Sequence, residues 1–102
     1  MRGTLDLLVM KALDSQPMHG YAVSKWLRER TGGQLGVEES ALYQSLHRLE
    51  RRGLLSSEWG LTETNRRAKF YSVTRRGRRQ LERDAQAWEQ YTRAVRLVLD
   101  RA

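Results

Sequence analysis

Ser40, Tyr43, Gln44, His47 and Arg51 fall at spacings that put them on one side of a helix turning 100° per residue. Leu42, Leu46 and Leu49 fall on the other side. The polar set carries the chemistry of nucleic-acid recognition. A Gln amide can pair in bidentate fashion with adenine, Ser and Tyr hydroxyls can hold phosphates, and His can do either. A helix face of this kind can also be simply solvated. Tyr43 argues against that reading, because a large aromatic ring gains little from unused exposure.

A second constellation lies downstream. Arg66, Arg67 and Lys69 are followed at once by Arg75, Arg76, Arg78 and Arg79, seven cations in fourteen positions with no acid among them. A charge run is often only a solvated surface, but one of a single sign beside a hairpin is suited to phosphate contact, with Arg66 and Arg67 better placed than the later group. Third, Leu81, Ala85, Trp88, Thr92, Val95 and Leu99 follow spacings of four and three, a heptad seam. Such a seam packs on its own domain, on a second copy of the chain, or on both in different parts. With no further element after it to cover the stripe, a homodimer interface is the expectation.

The elements that must carry these groups can be read from periodicity. Leu5, Leu8, Val9, Ala12 and Leu13 define a first helix over about Thr4–Ser15, stopped before Pro17. A second starts near His19 or Gly20, carries Tyr21, Val23, Trp26 and Leu27, and ends at Gly32 and Gly33. After a short extended piece at Leu35–Val37, a third helix covers Glu38–Arg52, with Ser40 available as a cap and Gly53 as its stop. Leu54–Trp59 and Lys69–Val73 read as a two-stranded hairpin around a loop at Gly60–Ala68. Thr74 can cap a last helix running to about Asp100, with Gly77 a weak point in its first turn.

The expected fold is mainly α with a small β-hairpin: a winged helix-turn-helix domain over 1–74 and a long C-terminal dimerisation helix over 75–102. In that arrangement the third helix enters the major groove and the hairpin lies over the backbone.

Composition agrees and excludes alternatives. Nineteen Lys and Arg, sixteen of them Arg, stand against twelve Asp and Glu for a formal charge of +7. Arg's planar fork fits phosphate and guanine edges, so double-stranded DNA is the expected partner. No cysteine is present, which fits the cytoplasm and rules out thiol chemistry. Asp6 and Lys11 break the apolar N-terminal stretch, so no signal peptide is expected, and no apolar run is long enough for a membrane span. His19 and His47 sit on different elements and no metal-ligand motif occurs, so no enzyme, catalytic residue, metal or cofactor is expected.

Five stretches resemble the PadR family of bacterial transcription regulators. They are Pro17-Met18-His19-Gly20-Tyr21; Ala41-Leu42-Tyr43 continuing through Leu46 to His47-Arg48-Leu49-Glu50-Arg51-Arg52-Gly53-Leu54; Glu58-Trp59-Gly60; Asn65-Arg66-Arg67-Ala68-Lys69-Phe70-Tyr71; and Thr74-Arg75-Arg76-Gly77-Arg78-Arg79-Gln80-Leu81. The resemblance spans essentially the whole chain. It implies a homodimer that represses its targets and releases DNA when a small aromatic or drug-like effector binds. It also implies the short subclass, in which a single C-terminal helix makes the dimer. Trp88 resembles an aromatic that lines an effector pocket between subunits in multidrug-sensing members, although an aromatic on a helical seam is also ordinary packing. Gln44 departs from the family, many of whose members carry Pro there, so base preference does not carry over. The competing expectation is a DNA-binding regulator or architectural protein with no small-molecule effector.

Overall fold

The computed structural model describes residues 2–100, and its element order is the winged-helix one. Three helices come first: α1 (Arg2–Ser15), α2 (Gly20–Arg30) and α3 (Glu39–Arg51). The hairpin β1 (Leu55–Leu61) and β2 (Arg67–Val73) follows, and α4 (Arg75–Leu99) closes the chain. Positions 101 and 102 of the expected last helix lie outside the described residues.

Both helices of the helix-turn-helix end in the same way. In α2, Gly32 N–H donates to Glu29 O and Gly33 N–H to Arg28 O, with both glycines at positive φ. In α3, Gly53 N–H donates to Glu50 O and Leu54 N–H to Leu49 O, with Gly53 at φ 76°. These are paired Schellman bonds, which satisfy the carbonyls a helix leaves open and need a residue that tolerates the left-handed region. They bring Leu54 onto Leu49, both buried.

The start of α3 differs from expectation. Its cap is Glu38, whose side chain accepts no backbone N–H of the helix; the carboxylate accepts instead from the Ser40 hydroxyl. Ser40 lies one residue inside the helix, where its hydroxyl is past the capping position. Thr74 does cap α4: its hydroxyl oxygen accepts from Gly77 N–H at 3.0 Å. At α2 the cap is His19, whose Nδ1 accepts from Ala22 N–H at 3.4 Å.

The hairpin is longer and its turn tighter than the sequence indicates. Leu54 is not in β1, because its N–H closes α3 and its carbonyl accepts from Thr74 N–H. The strands instead run two residues further at the distal end, from Leu55↔Val73 to Leu61↔Arg67. Thr62 makes this possible by accepting Arg66 N–H on its hydroxyl while its own N–H donates to Arg66 O. Asn65 takes the left-handed position at φ 64°, one of the few non-glycine residues that does so readily. On the other side of β2, Met18 and Tyr71 exchange both backbone bonds, at 3.1 and 2.9 Å, a one-residue third strand. Leu35–Val37 carries no strand pairing among the described residues.

The core gathers Val9, Met10, Ala12 and Leu13 of α1, Val23 and Leu27 of α2, the Leu42, Leu46 and Leu49 stripe of α3, and Met18, Leu54, Leu55 and Tyr71. Leu81 joins it from α4. Gly77 is no weak point. It is buried, and a Cβ there would stand 2.0 Å from the Leu54 carbonyl oxygen, so α4 leaves the body through a contact only glycine permits. The heptad seam therefore divides. Leu81 is covered by its own body, whereas Ala85, Trp88 and Leu99 are exposed.

Candidate nucleic-acid interface

The stripe of α3 leucines turns Ser40, Tyr43, Gln44, His47 and Arg51 outward, and all five are exposed. They do not all serve one space. Tyr43 and His47 line a cleft of about 710 Å³ between α3, the start of α2 and the hairpin. Gln44 lies on the opposite flank of the helix, in a groove of about 570 Å³ that it shares with Trp88. Ser40 and Arg51 line neither.

The hairpin's alternation brings the cations to the cleft. Side chains two apart on a strand share a face, and cross-strand partners share it too. Trp59 is paired with Lys69, and Leu61 with Arg67, so Trp59, Lys69 and Arg67 point the same way. Arg66, in the turn, lines the cleft as well. The cleft wall thus carries Arg66, Arg67 and Lys69, with His19 and His47 nearby and no carboxylate among its lining residues. Two of the cations have partners. Arg67 lies over the Trp59 ring at 4.4 Å, and Lys69 Nζ is 3.6 Å from a Glu50 oxygen. Arg75, Arg76, Arg78 and Arg79 are exposed on the first turns of α4, outside the cleft, and Arg78 pairs with Asp14 of α1 at 3.1 Å.

Tyr71 forms part of the cleft floor. Burial pushes its phenol above the usual tyrosine value, and the negative charge of Glu50 pushes it the same way, so it is a neutral hydroxyl at physiological pH. Tyr43 is set by an unusual contact. A Cβ on Gly20 would lie 2.8 Å from the Tyr43 ring and hydroxyl, so the ring rests directly on the bare backbone at the start of α2.

His19, Tyr21 and Trp59 line the cleft without having been read as site residues from the sequence. Trp59 was legible in principle, since it alternates in phase with the basic residues opposite. His19 and Tyr21 depend on how α2 docks against the hairpin, seen in the edge-to-face packing of His19 on Phe70 at 5.2 Å. No cluster of potential metal ligands occurs among the described residues.

The model of the transcriptional regulator PadR-like family matches residues 9–83, which includes α2, α3 and the whole hairpin. The chain belongs to that family. This PadR-like chain is similar to a solved PadR family transcriptional regulator from Eggerthella lenta DSM 2243, at 34% identity over 99% of this chain and 86% of that one, with a TM-score of 0.83. It is also similar to a transcriptional regulator from Clostridium thermocellum, at 27% identity over 97% and 93% of the two chains and a TM-score of 0.88. An uncharacterized protein X of Lysinibacillus sphaericus is 23% identical over 100 residues, 98% of this chain and 92% of its own. Membership in the PadR-like family makes the chain a DNA-binding transcription regulator, and no helix among the described residues is long and apolar enough to cross a membrane.

Proposed function

We propose that the chain is a cytoplasmic homodimer that binds a palindromic site in double-stranded DNA and represses transcription until a small aromatic effector releases it. The observation that carries the DNA reading is the cleft, where the exposed edge of α3 and the cations of the hairpin face the same space with no carboxylate among its lining residues. Ser40, Tyr43, Gln44, His47 and Arg51 meet the major groove, and Arg66, Arg67 and Lys69 meet phosphates. The division of labour is 1–74 for DNA and 75–102 for dimerisation.

Dimerisation is supported by the distal half of α4. Leu97, Val98 and Leu99 are 77%, 83% and 72% exposed, and Leu99 continues the seam of Ala85, Trp88, Thr92 and Val95. Apolar surface of that extent at a helix end calls for a covering partner, and a second copy brings the same seam in return. Tyr91 widens the apolar face toward α1, where it, Trp88 and Ala87 line a further groove with Leu7. The effector reading rests on Trp88, half-exposed beside Leu5 and Leu8 in the 570 Å³ groove, room for an aromatic ring system to stack. Such a ligand releases DNA only if it favours a dimer geometry that misaligns the two α3 helices from half-sites about 10 base pairs apart.

Selection of bound duplexes from a random pool tests this. The full chain is expected to enrich a palindrome, and a chain lacking 88–102 is expected to sediment as a monomer and to lose the site, because each half-site contact is then unlinked from the other. Enrichment of no palindrome, or a truncated chain that still dimerises, overturns the reading. Planar aromatics are then titrated against native protein and Trp88→Ala while operator occupancy is followed. Ligand binding unchanged in Trp88→Ala removes the effector site, and occupancy insensitive to every ligand leaves a regulator without effector.

A further inference from the structure

One charged group lies inside the body and takes no part in the cleft. Asp6 of α1 is buried, and its carboxylate is occupied on both oxygens. Oδ1 accepts from the Ser45 hydroxyl at 2.6 Å and from Arg48 Nη2 at 2.6 Å, and Oδ2 accepts from Arg48 Nε at 3.1 Å. Both partners belong to α3, and Ser45 is fully buried. The hydrogen bond to Asp6 raises the already high basicity of Arg48, with partial burial working against it and the carboxylate's charge adding to it.

The other buried core residues of α1 and α3 are apolar, and apolar contact has no direction. Leu42, Leu46 and Leu49 alone would fix the rotation of α3 only through the shape of their packing. The fork of Arg48 on a carboxylate has a fixed plane and two fixed bonds. Such a fork opposes rotation of α3 about its own axis. His47 and Arg48 are neighbours 100° apart, so that rotation decides which side chains meet a base edge. Asp6 is also held relative to α4, because α1 carries the Asp14 to Arg78 ion pair and packs against Leu81 through the core.

We propose that Asp6 is a positioning residue for sequence recognition: it fixes the angle at which α3 presents its DNA-reading face, without touching DNA. The inference rests on the proposed role of α3 and adds to it a determinant of specificity. It also accounts for Arg48, an arginine of the recognition helix that is held back from DNA by this carboxylate.

A buried ion pair exchanged for apolar residues of similar volume often leaves stability unchanged or raised, which separates positioning from mere support. The test is the double variant Asp6→Leu/Arg48→Met, with Asp6→Asn as a second, milder change. Each is compared with the native chain for thermal midpoint, for binding to the selected operator and for binding to random duplex of equal length. The expected result is a folded dimer whose affinity for random duplex is unchanged, since Arg66 and Arg67 are intact, while the ratio of operator to random affinity falls about tenfold or more, the equivalent of one lost base-edge contact. An unchanged ratio in a folded variant shows that the pair only supports the fold and overturns the proposal.

A second measurement does not depend on DNA. The chain has no cysteine, so Lys11→Cys on α1 and Arg51→Cys on α3 can be spin-labelled cleanly and diluted with unlabelled protein. The distribution of distances within one protomer should broaden or shift in Asp6→Asn. A distribution identical to native overturns the clamp even if the native chain selects no operator, whereas a broadened one with no operator overturns only the reading of α3.

Discussion

On one flank of α3, Tyr43 and His47 face a cleft whose far wall carries Arg66, Arg67 and Lys69. On the other, Ala41, Gln44 and Arg48 face a groove walled by Leu5, Leu8 and Trp88. The two spaces are similar in size and a helix width apart. They differ in charge. Arg66 and Arg67 of the cleft are exposed and paired with no acid among the described residues, and only Lys69 lies near one, Glu50, whereas the groove's one cation, Arg48, is already committed to Asp6, and its remaining charge is Glu38. A polyanion is drawn to the first by uncompensated positive charge that the second lacks; an uncharged ring gains most where apolar side chains and an indole already stand together. The lesson is that one short helix can border two spaces of opposite character, because side chains one residue apart point 100° apart.

The sharpest way to break this contrast is on α3 itself. His47→Ala is expected to cost about 1–3 kcal/mol on the preferred DNA sequence and to relax preference at one half-site position, read by competition against base-substituted duplexes. Gln44→Ala is expected to cost an amount at the lower end of that range, because its side chain stands toward the groove. A larger loss for Gln44 than for His47 would place the DNA on the wrong flank.

Next in size is the hairpin. Removing Arg66 or Arg67 is expected to weaken all sequences alike and to lower the slope of log affinity against log salt by about 1 per lost contact. If either loss depends on sequence, the hairpin reads bases and the contrast between reading and anchoring fails. Trp59→Ala addresses the same arginine indirectly. The stack of Arg67 on Trp59 is exposed, so its loss is worth about 0.5–1 kcal/mol. The expected effect is a small, sequence-independent drop in affinity that vanishes in an Arg67→Ala background, and a drop that persists there would give Trp59 a DNA contact of its own.

The smallest effect concerns the cleft floor. The folded chain raises the phenol of Tyr71, so it holds that proton more tightly than the unfolded chain does. That contribution to stability is present in full below the ordinary tyrosine value, near pH 10, and is lost as pH rises through the raised one. Urea unfolding followed across alkaline pH should therefore decline less steeply in Tyr71→Phe than in the native chain; identical slopes would mean the floor is wetter than its burial implies.

Much of this architecture is written in local signals. The α3 leucine stripe, the Gly32 and Gly33 pair, Gly53 and the Thr74 cap each act over one or two turns, and periodicity or residue type exposes them. The tight hairpin turn was also local, but its signal was split between Thr62 and Asn65, neither of which reads strongly alone. Groups that depend on distant partners were not legible. Asp6 looks like an interruption in an apolar helix until Ser45 and Arg48, 39 and 42 residues away, are placed against it. Gly77 looks like a defect until Leu54 is beside it. The five outward residues of α3 were identifiable from spacing, but their division between two spaces was not, because it depends on where α1, α4 and the hairpin stand.

The seat of Gly77 against the Leu54 carbonyl gives α4 the mechanics of a lever with its fulcrum inside the body. From Gly77 to Leu99 the helix runs about 33 Å at 1.5 Å per residue, so each degree of tilt at the fulcrum displaces the tip by roughly 0.6 Å for a straight helix. The gearing also works in reverse. A displacement of the tip by a few ångströms corresponds to a turn of the body through only a few degrees, and small rotations pass between tip and body undamped only if the joint has no slack. A side chain at position 77 would loosen that joint, so the same glycine that lets the helix sit close also sets how faithfully movement at one end is felt at the other.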